Sequence, residues 1–132
     1  MPDIEPFSPK GMFHEGWTAE VNDYAIVCGW ALKGKLFIVG DVAGGLFAFE
    51  GDTGKVIWKK ENTHSGSLLA MSIHPGGEIF ATSGQDGNVQ IYNCQEGKVI
   101  KNLNLDKGWV EHLKWSNDGL FLAIACNKKV YV

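Results

Sequence analysis

The chain repeats itself, and this repetition limits its possible folds more than any single motif. A shift of 43 positions lays Gly34 on Gly77, Phe37 on Phe80 and Gly44 on Gly87. The same shift superposes "GKVI" at 54–57 on "GKVI" at 97–100 without a gap. A shift of 42 then carries Gly66 to Gly108, Gly77 to Gly119 and Ala81 to Ala123. Regular self-similarity on this scale marks units that cannot bury an apolar face alone and must stack on neighbours.

Each unit reads as four short strands. In the middle one, "LLAMSI" is apolar nearly throughout, as expected of a strand covered on both faces. "HPGG" turns the chain, "EIFATS" and "NVQIYN" flank the turn "GQDG", and "CQEG" leads into the alternating "KVIKNLNL". The first unit predicts strands at about 24–30, 35–40, 45–50 and 55–60, and the third supplies "VEHLKW", "LFLAIA" and "KKVYV". No stretch of helical length carries a 3.6-residue period, so the expected class is all-β. A period near 43 with four strands per unit is that of propeller blades.

At this point the middle unit resembles the WD-repeat (WD40-type) β-propellers. The residues that carry the resemblance are His64, the "HPGG" turn at 74–77, Thr82, Asp86 before Gly87, and Tyr92 where the family has Trp. The resemblance implies a buried hydrogen-bond chain through His64, Thr82, Asp86 and Tyr92, structural and not catalytic. At the equivalent positions the first unit has Val21, Val39, Ala43 and Phe49, and the third has Asp106, Ile124 and Lys128. Those two blades are therefore expected to rely on apolar packing alone. "VNDYAIVCGW" and "GWVEHLKWSNDG" are similar to bacterial members of the family.

The expected organisation is an extension at 1–16, an outer strand of a preceding blade at 17–21, and blades at about 22–64, 65–106 and 107–132, the last incomplete. Roughly two and a half to three blades fall short of the four to eight of a closed propeller. The favoured expectation is the amino-terminal part of a longer propeller. The alternative is a homo-oligomer whose identical chains close a ring.

Catalytic signatures are missing from the sequence. There is no Gly-x-Ser-x-Gly elbow, "GDTGKV" lacks phosphate-loop spacing, and "GQDGN" lacks the distal Glu of a calcium loop. The four histidines, His14, His64, His74 and His112, show no metal-ligand spacing, and His74, before a turn Pro, reads as exposed. The chain is thus expected to be no enzyme, with no cofactor and no metal. With 45% hydrophobic and 20% charged residues it is a globular chain, and its net charge of -3 gives no reason to expect nucleic acid or membrane partners. "MPDIEPFSPKGMF" lacks a signal-peptide pattern, and Cys28, Cys94 and Cys126 form no disulfide framework, so the default location is cytoplasmic.

Aligning the units brings Tyr24, Ser67 and Trp109 to one place, just before the innermost strand. Asp41, Gln85 and Asn127 align in the turns after the second strand, at the same end. Aromatic side chains beside polar groups suit protein recognition, and the resemblance implies partner binding on this face. The expected function is a non-catalytic scaffold for other proteins, with further blades or further copies of the chain as possible neighbours. The alternative is part of a larger ligand-binding or enzymatic propeller whose active residues lie beyond Val132. Trp30 and Trp115 align with Ile73 and read as core.

Overall fold

The computed structural model describes residues 16–105 and 108–132. They form three antiparallel sheets stacked side by side. Blade 1 comprises β1 (Ala25–Ala31), β2 (Leu36–Asp41), β3 (Leu46–Glu50) and β4 (Val56–Lys60). Blade 2 comprises β5 (Leu68–Ile73), β6 (Ile79–Gly84), β7 (Asn88–Asn93) and β8 (Val99–Asn104). Blade 3 contains β9 (Val110–Trp115), β10 (Leu122–Cys126) and β11 (Lys129–Tyr131). Within each sheet the strands lie in chain order. This is the all-β, propeller-blade architecture that the repeat predicts.

Alternation along the strands explains the stacking, because successive side chains point to opposite faces. Leu36, Ile38, Leu46 and Ala48 of blade 1 meet Leu68, Phe80, Tyr92 and Cys94 of blade 2 in one core. The opposite face of blade 2, with Ala70, Ala81 and Val89, meets Val110, Leu113, Ile124 and Cys126 of blade 3 in a second. The two halves of each strand pattern thus fill two different interfaces. A stacked array follows directly.

Both interfaces also carry polar ties. Trp58 on β4 donates its indole N–H to Cys94 O at 2.8 Å, and its ring stacks on Phe80. Gly97 has φ +70, and a Cβ there would lie 2.8 Å from the Trp58 ring, so glycine is required twice over. Ser83 Oγ donates to Val110 O at 2.8 Å, joining blade 2 to blade 3.

Three expectations are corrected here. Residues 17–21 form no strand, and no described strand pairs with them. Trp17 packs on Phe37 and Phe49 and donates to Gly51 O at 2.8 Å, the same clamp that Trp58 makes one blade later. Trp30 is not core: it is 56% exposed at the end of β1 and touches Phe37 at one side. His74 is not free in solvent, because its Nε2–H donates to Gly119 O at 2.9 Å and its ring meets Trp115 edge-on. Trp115 is half-buried against the second core, as its alignment suggests. Asp106, Lys107 and most of the expected 1–16 extension lie outside the described residues.

The turn between β1 and β2 is strained. Leu32 (φ 50), Lys33 (φ 56) and Gly34 (φ 84) follow one another in the left-handed region, which costs a non-glycine residue about 1–2 kcal/mol. Leu32 N–H donates across the blade boundary to Gly77 O at 3.0 Å and so holds the turn in place. Lys33→Gly should therefore raise unfolding free energy by about 0.5–1 kcal/mol. Urea denaturation measures this, and an unchanged or lower midpoint would show that the turn is unstrained.

Candidate functional site

The loop that enters blade 2, residues 61–67, crosses the end of that blade beside the β6–β7 turn. His64 sits in it, buried, with its Nδ1 3.1 Å and 3.2 Å from the two carboxylate oxygens of Asp86. Its Nε2 lies 2.8 Å from Thr82 Oγ1. A carboxylate only accepts, so Nδ1 carries a proton toward Asp86, while Nε2 and the Thr82 hydroxyl share the second hydrogen bond. Asp86 also accepts from the backbone N–H groups of Ser65 (2.9 Å) and Asn88 (3.1 Å). One carboxylate thereby fixes its own turn, the incoming loop and the histidine ring.

Tyr92 closes the constellation differently from an indole. Its phenol donates to Gln90 Oε1, its ring stacks on Phe80 at 5.0 Å, and the Lys60 ammonium lies 5.4 Å over its face. Burial pushes the phenol up to about 12, against opposing interactions with the Thr82 and Thr63 hydroxyls. All four residues of the expected chain therefore cluster at one corner of blade 2. Both His64 ring nitrogens are engaged and Thr82 is fully buried.

Burial works against the charge of Asp86, but donors from Asn88, His64 and Ser65 outweigh it and hold the carboxyl below its ordinary value. A depressed folded-state carboxyl contributes stability above the unfolded value near 3.9 and loses it as pH falls through the folded one. Below pH 4 the chain should therefore lose stability, and Asp86→Asn should flatten that slope. Denaturation midpoints between pH 2.5 and 5 test this; parallel curves for variant and wild type would refute it.

Blade 1 was expected to lack any such tie, yet Asp41 provides one. Its carboxylate accepts from the N–H groups of Gly45 (2.8 Å), Ala43 (3.1 Å) and Asp23 (3.2 Å). Asp41 is 0% exposed. This corrects its assignment to the partner-facing set. The cause is a one-residue slip in alignment. Val42 N–H donates to Tyr24 O as Gln85 N–H donates to Ser67 O, so Val42 is the true counterpart of Gln85. Asp41 then falls opposite Gly84, inside the strand end. Asp41→Ala should destabilise by about 1–3 kcal/mol through three orphaned N–H donors. A loss under 0.5 kcal/mol in thermal or urea unfolding would exclude that role.

The remaining candidates do share one end of the array. Tyr24 is 84% exposed and Trp109 is 53% exposed, each just before an innermost strand. Between them, Ser67 is half-buried, and its N–H donates to Gln85 Oε1 at 3.1 Å, so Gln85 is tied to the loop. Asn127 occupies the β10–β11 turn, exposed and with φ 56. Among the described residues no group of three His, Cys, Asp or Glu side chains is placed to hold a metal ion. These loops carry exposed aromatic side chains at one end of the array.

Stacked antiparallel sheets of four, four and three strands define a β-propeller segment, and the middle one carries a His–Asp tie at its corner. Comparisons with known proteins agree. A sequence profile described as the anaphase-promoting complex subunit 4 WD40 domain matches residues 52–109. WD repeat-containing protein 1 from Bos taurus is 41% identical over 66 residues, 46% of this chain and 10% of that protein. The p21-activated protein kinase-interacting protein 1-like protein of Danio rerio is 32% identical over 74 residues, 54% of this chain and 19% of that protein. The Cps50 (Swd1) β-propeller domain of Myceliophteria thermophila matches 83% of this chain with a TM-score of 0.69 at 18% identity, and 33% of that domain is covered. Over these residues the chain is similar to WD-repeat β-propeller proteins. It spans a tenth to a fifth of these curated relatives and a third of the solved propeller.

Proposed function

We propose that this chain is a non-catalytic scaffold that binds other proteins through the loop face bearing Tyr24, Ser67, Gln85, Trp109 and Asn127. The observation that carries the proposal is the pair of exposed aromatics, Tyr24 and Trp109, at equivalent places two blades apart. Tyr24 stands beside a loop held by the Val42 N–H to Tyr24 O hydrogen bond, so it offers contact area at little cost in conformational entropy. The relative from Danio rerio is named for interacting with p21-activated protein kinase, which supports the same class of role. Unpaired Cys28, Cys94 and Cys126 fit a reducing, cytoplasmic setting.

The test is quantitative affinity capture with wild type and a folded Tyr24→Ala/Trp109→Ala variant. Selective loss of specific partners from the variant supports the face; equal recovery of every partner rejects it. A second reading, a ring closed by further copies, draws on the outer face of blade 3. Phe121, Val130 and Val132 are exposed there, on the side equivalent to the covered Ala81 and Val89 of blade 2. Sedimentation analysis decides it: a monomer at micromolar concentration removes the ring.

A further inference from the structure

Two parts of the array are incomplete in complementary ways. In blades 1 and 2 the third strand pairs on its outer side with a fourth, β4 or β8. In blade 3 the third strand, β11, pairs with β10, and no described strand lies along its other edge. Such an edge presents N–H and C=O groups ready to pair. Residues 17–21 are the converse, a segment seated like an outer strand with no strand beside it. Trp17 donates to Gly51 O as Trp58 donates to Cys94 O, and Gly51 and Cys94 are equivalent under the 43-residue shift. Blades 1 and 3 cover opposite faces of blade 2, so one chain cannot bring this segment to its own β11.

We infer that the chain associates head to tail with a second copy, residues 17–21 of one copy pairing antiparallel with β11 of the other. This contact rests on the reading of a ring closed by further copies and says how the ring closes. The intact blades supply its register. Lys60, two residues after Trp58, lies opposite Leu46, and Leu103 lies opposite Val89. Leu46, Val89 and Val130 hold one place, opposite Gly40, Ser83 and Ala125. Ala19, two residues after Trp17, therefore falls opposite Val130, and Glu20 falls opposite Lys129. Two independent features fit this register. Glu20 and Lys129 are exposed, neither has an ion-pair partner among the described residues, and directly opposite unlike charges stabilise a strand pair. The faces also agree, because residues opposite one another share a face. Tyr131 packs on the second core, so Val130 points away from blade 2, while Trp17 and Val21 pack on blade 1. Pairing therefore lays Val130 and Ala19 on one face, against blade 1 of the second copy. The same approach covers Phe121 and Trp30, each 56% exposed. Trp30 then stands over a neighbouring innermost strand, as Trp115 stands over Ser72 O. Two copies bring six described blades together, within the four to eight of closed propellers, and each copy gives and receives the segment once.

The experiment combines sedimentation with cysteine cross-linking of the full chain, with the exposed Cys28 replaced by Ser. A dimer is expected. Lys129→Glu should weaken it about tenfold, because the dimer carries the charge pair twice, and adding Glu20→Lys in the same chain should restore it. Both positions are exposed, so neither change disturbs a core. Mixed and oxidised, Ala19→Cys and Val130→Cys chains should give a disulfide-linked pair, whereas Ala19→Cys with Lys98→Cys should give none. A monomer at micromolar concentration would overturn both this contact and the ring. A dimer indifferent to Lys129→Glu, or one without the Ala19–Val130 cross-link, would overturn this contact alone and leave the ring reading standing.

Discussion

Phe80→Ala should be the most damaging single truncation in this chain, at about 3–5 kcal/mol, the range for deleting a buried phenylalanine. Phe80 is fully buried. Its ring is sandwiched, with Trp58 of blade 1 stacked at 6.1 Å and Tyr92 of its own blade at 5.0 Å. Removing it opens a void where two blades meet, and neither neighbour can collapse inward. Trp58 is anchored by its indole bond to Cys94 O, and Tyr92 by its phenol to Gln90. Total stabilities of single domains run to about 5–15 kcal/mol, so this loss would consume a large part of the reserve. Phe121→Ala is the matched control: Phe121 is an exposed phenylalanine, and its loss should shift stability by no more than about 0.5 kcal/mol. Urea denaturation of both variants separates them; equal midpoints would mean that the blade interface contributes little.

His64→Ala ranks second, at about 1–3 kcal/mol. The cost arises less from the ring than from what it leaves behind. The buried Thr82 Oγ1 loses its hydrogen bond to His64 Nε2, and Asp86 loses the imidazole that donates to it. Asp86→Ala removes the acceptor of three donors and should cost a similar amount. Because both changes dismantle one network, the double variant should fall short of the sum by about 1 kcal/mol. Strict additivity in a double-mutant cycle would show that the two side chains are not coupled.

The blades were legible because glycine and apolar spacing register backbone requirements, which repeat faithfully. Gly44 and Gly87 sit at the same place in equivalent turns, and "GKVI" opens the same outer strand twice. His64, Thr82 and Asp86 were legible for a different reason, since their spacing is that of a known family. Asp41 was not. Its carboxylate does for blade 1 part of what Asp86 does for blade 2, but it starts one strand end earlier and reaches forward. A positional shift compares residue types at fixed intervals and is blind to side-chain reach. Trp30 misled for a related reason: it shares a column with Ile73 and Trp115, yet only Trp115 has a neighbouring blade's Ser72 carbonyl to bond and a His74 ring to meet. Trp17 was placed in the right neighbourhood and given the wrong backbone. Its side chain makes the contact of an outer-strand tryptophan without a strand beneath it.

The Trp58 clamp has a mechanical corollary. It grips the following sheet at its rim, far from the innermost strands, as a staple holds pages at their margin. Tension applied across blades 1 and 2 would load this indole–carbonyl contact, together with the adjacent Lys60 Nζ–H to Gly97 O bond at 2.8 Å, before the greasy seam behind them begins to part. Weakening the staple with Trp58→Phe should thus lower rupture force in a pulling experiment more than it lowers equilibrium stability.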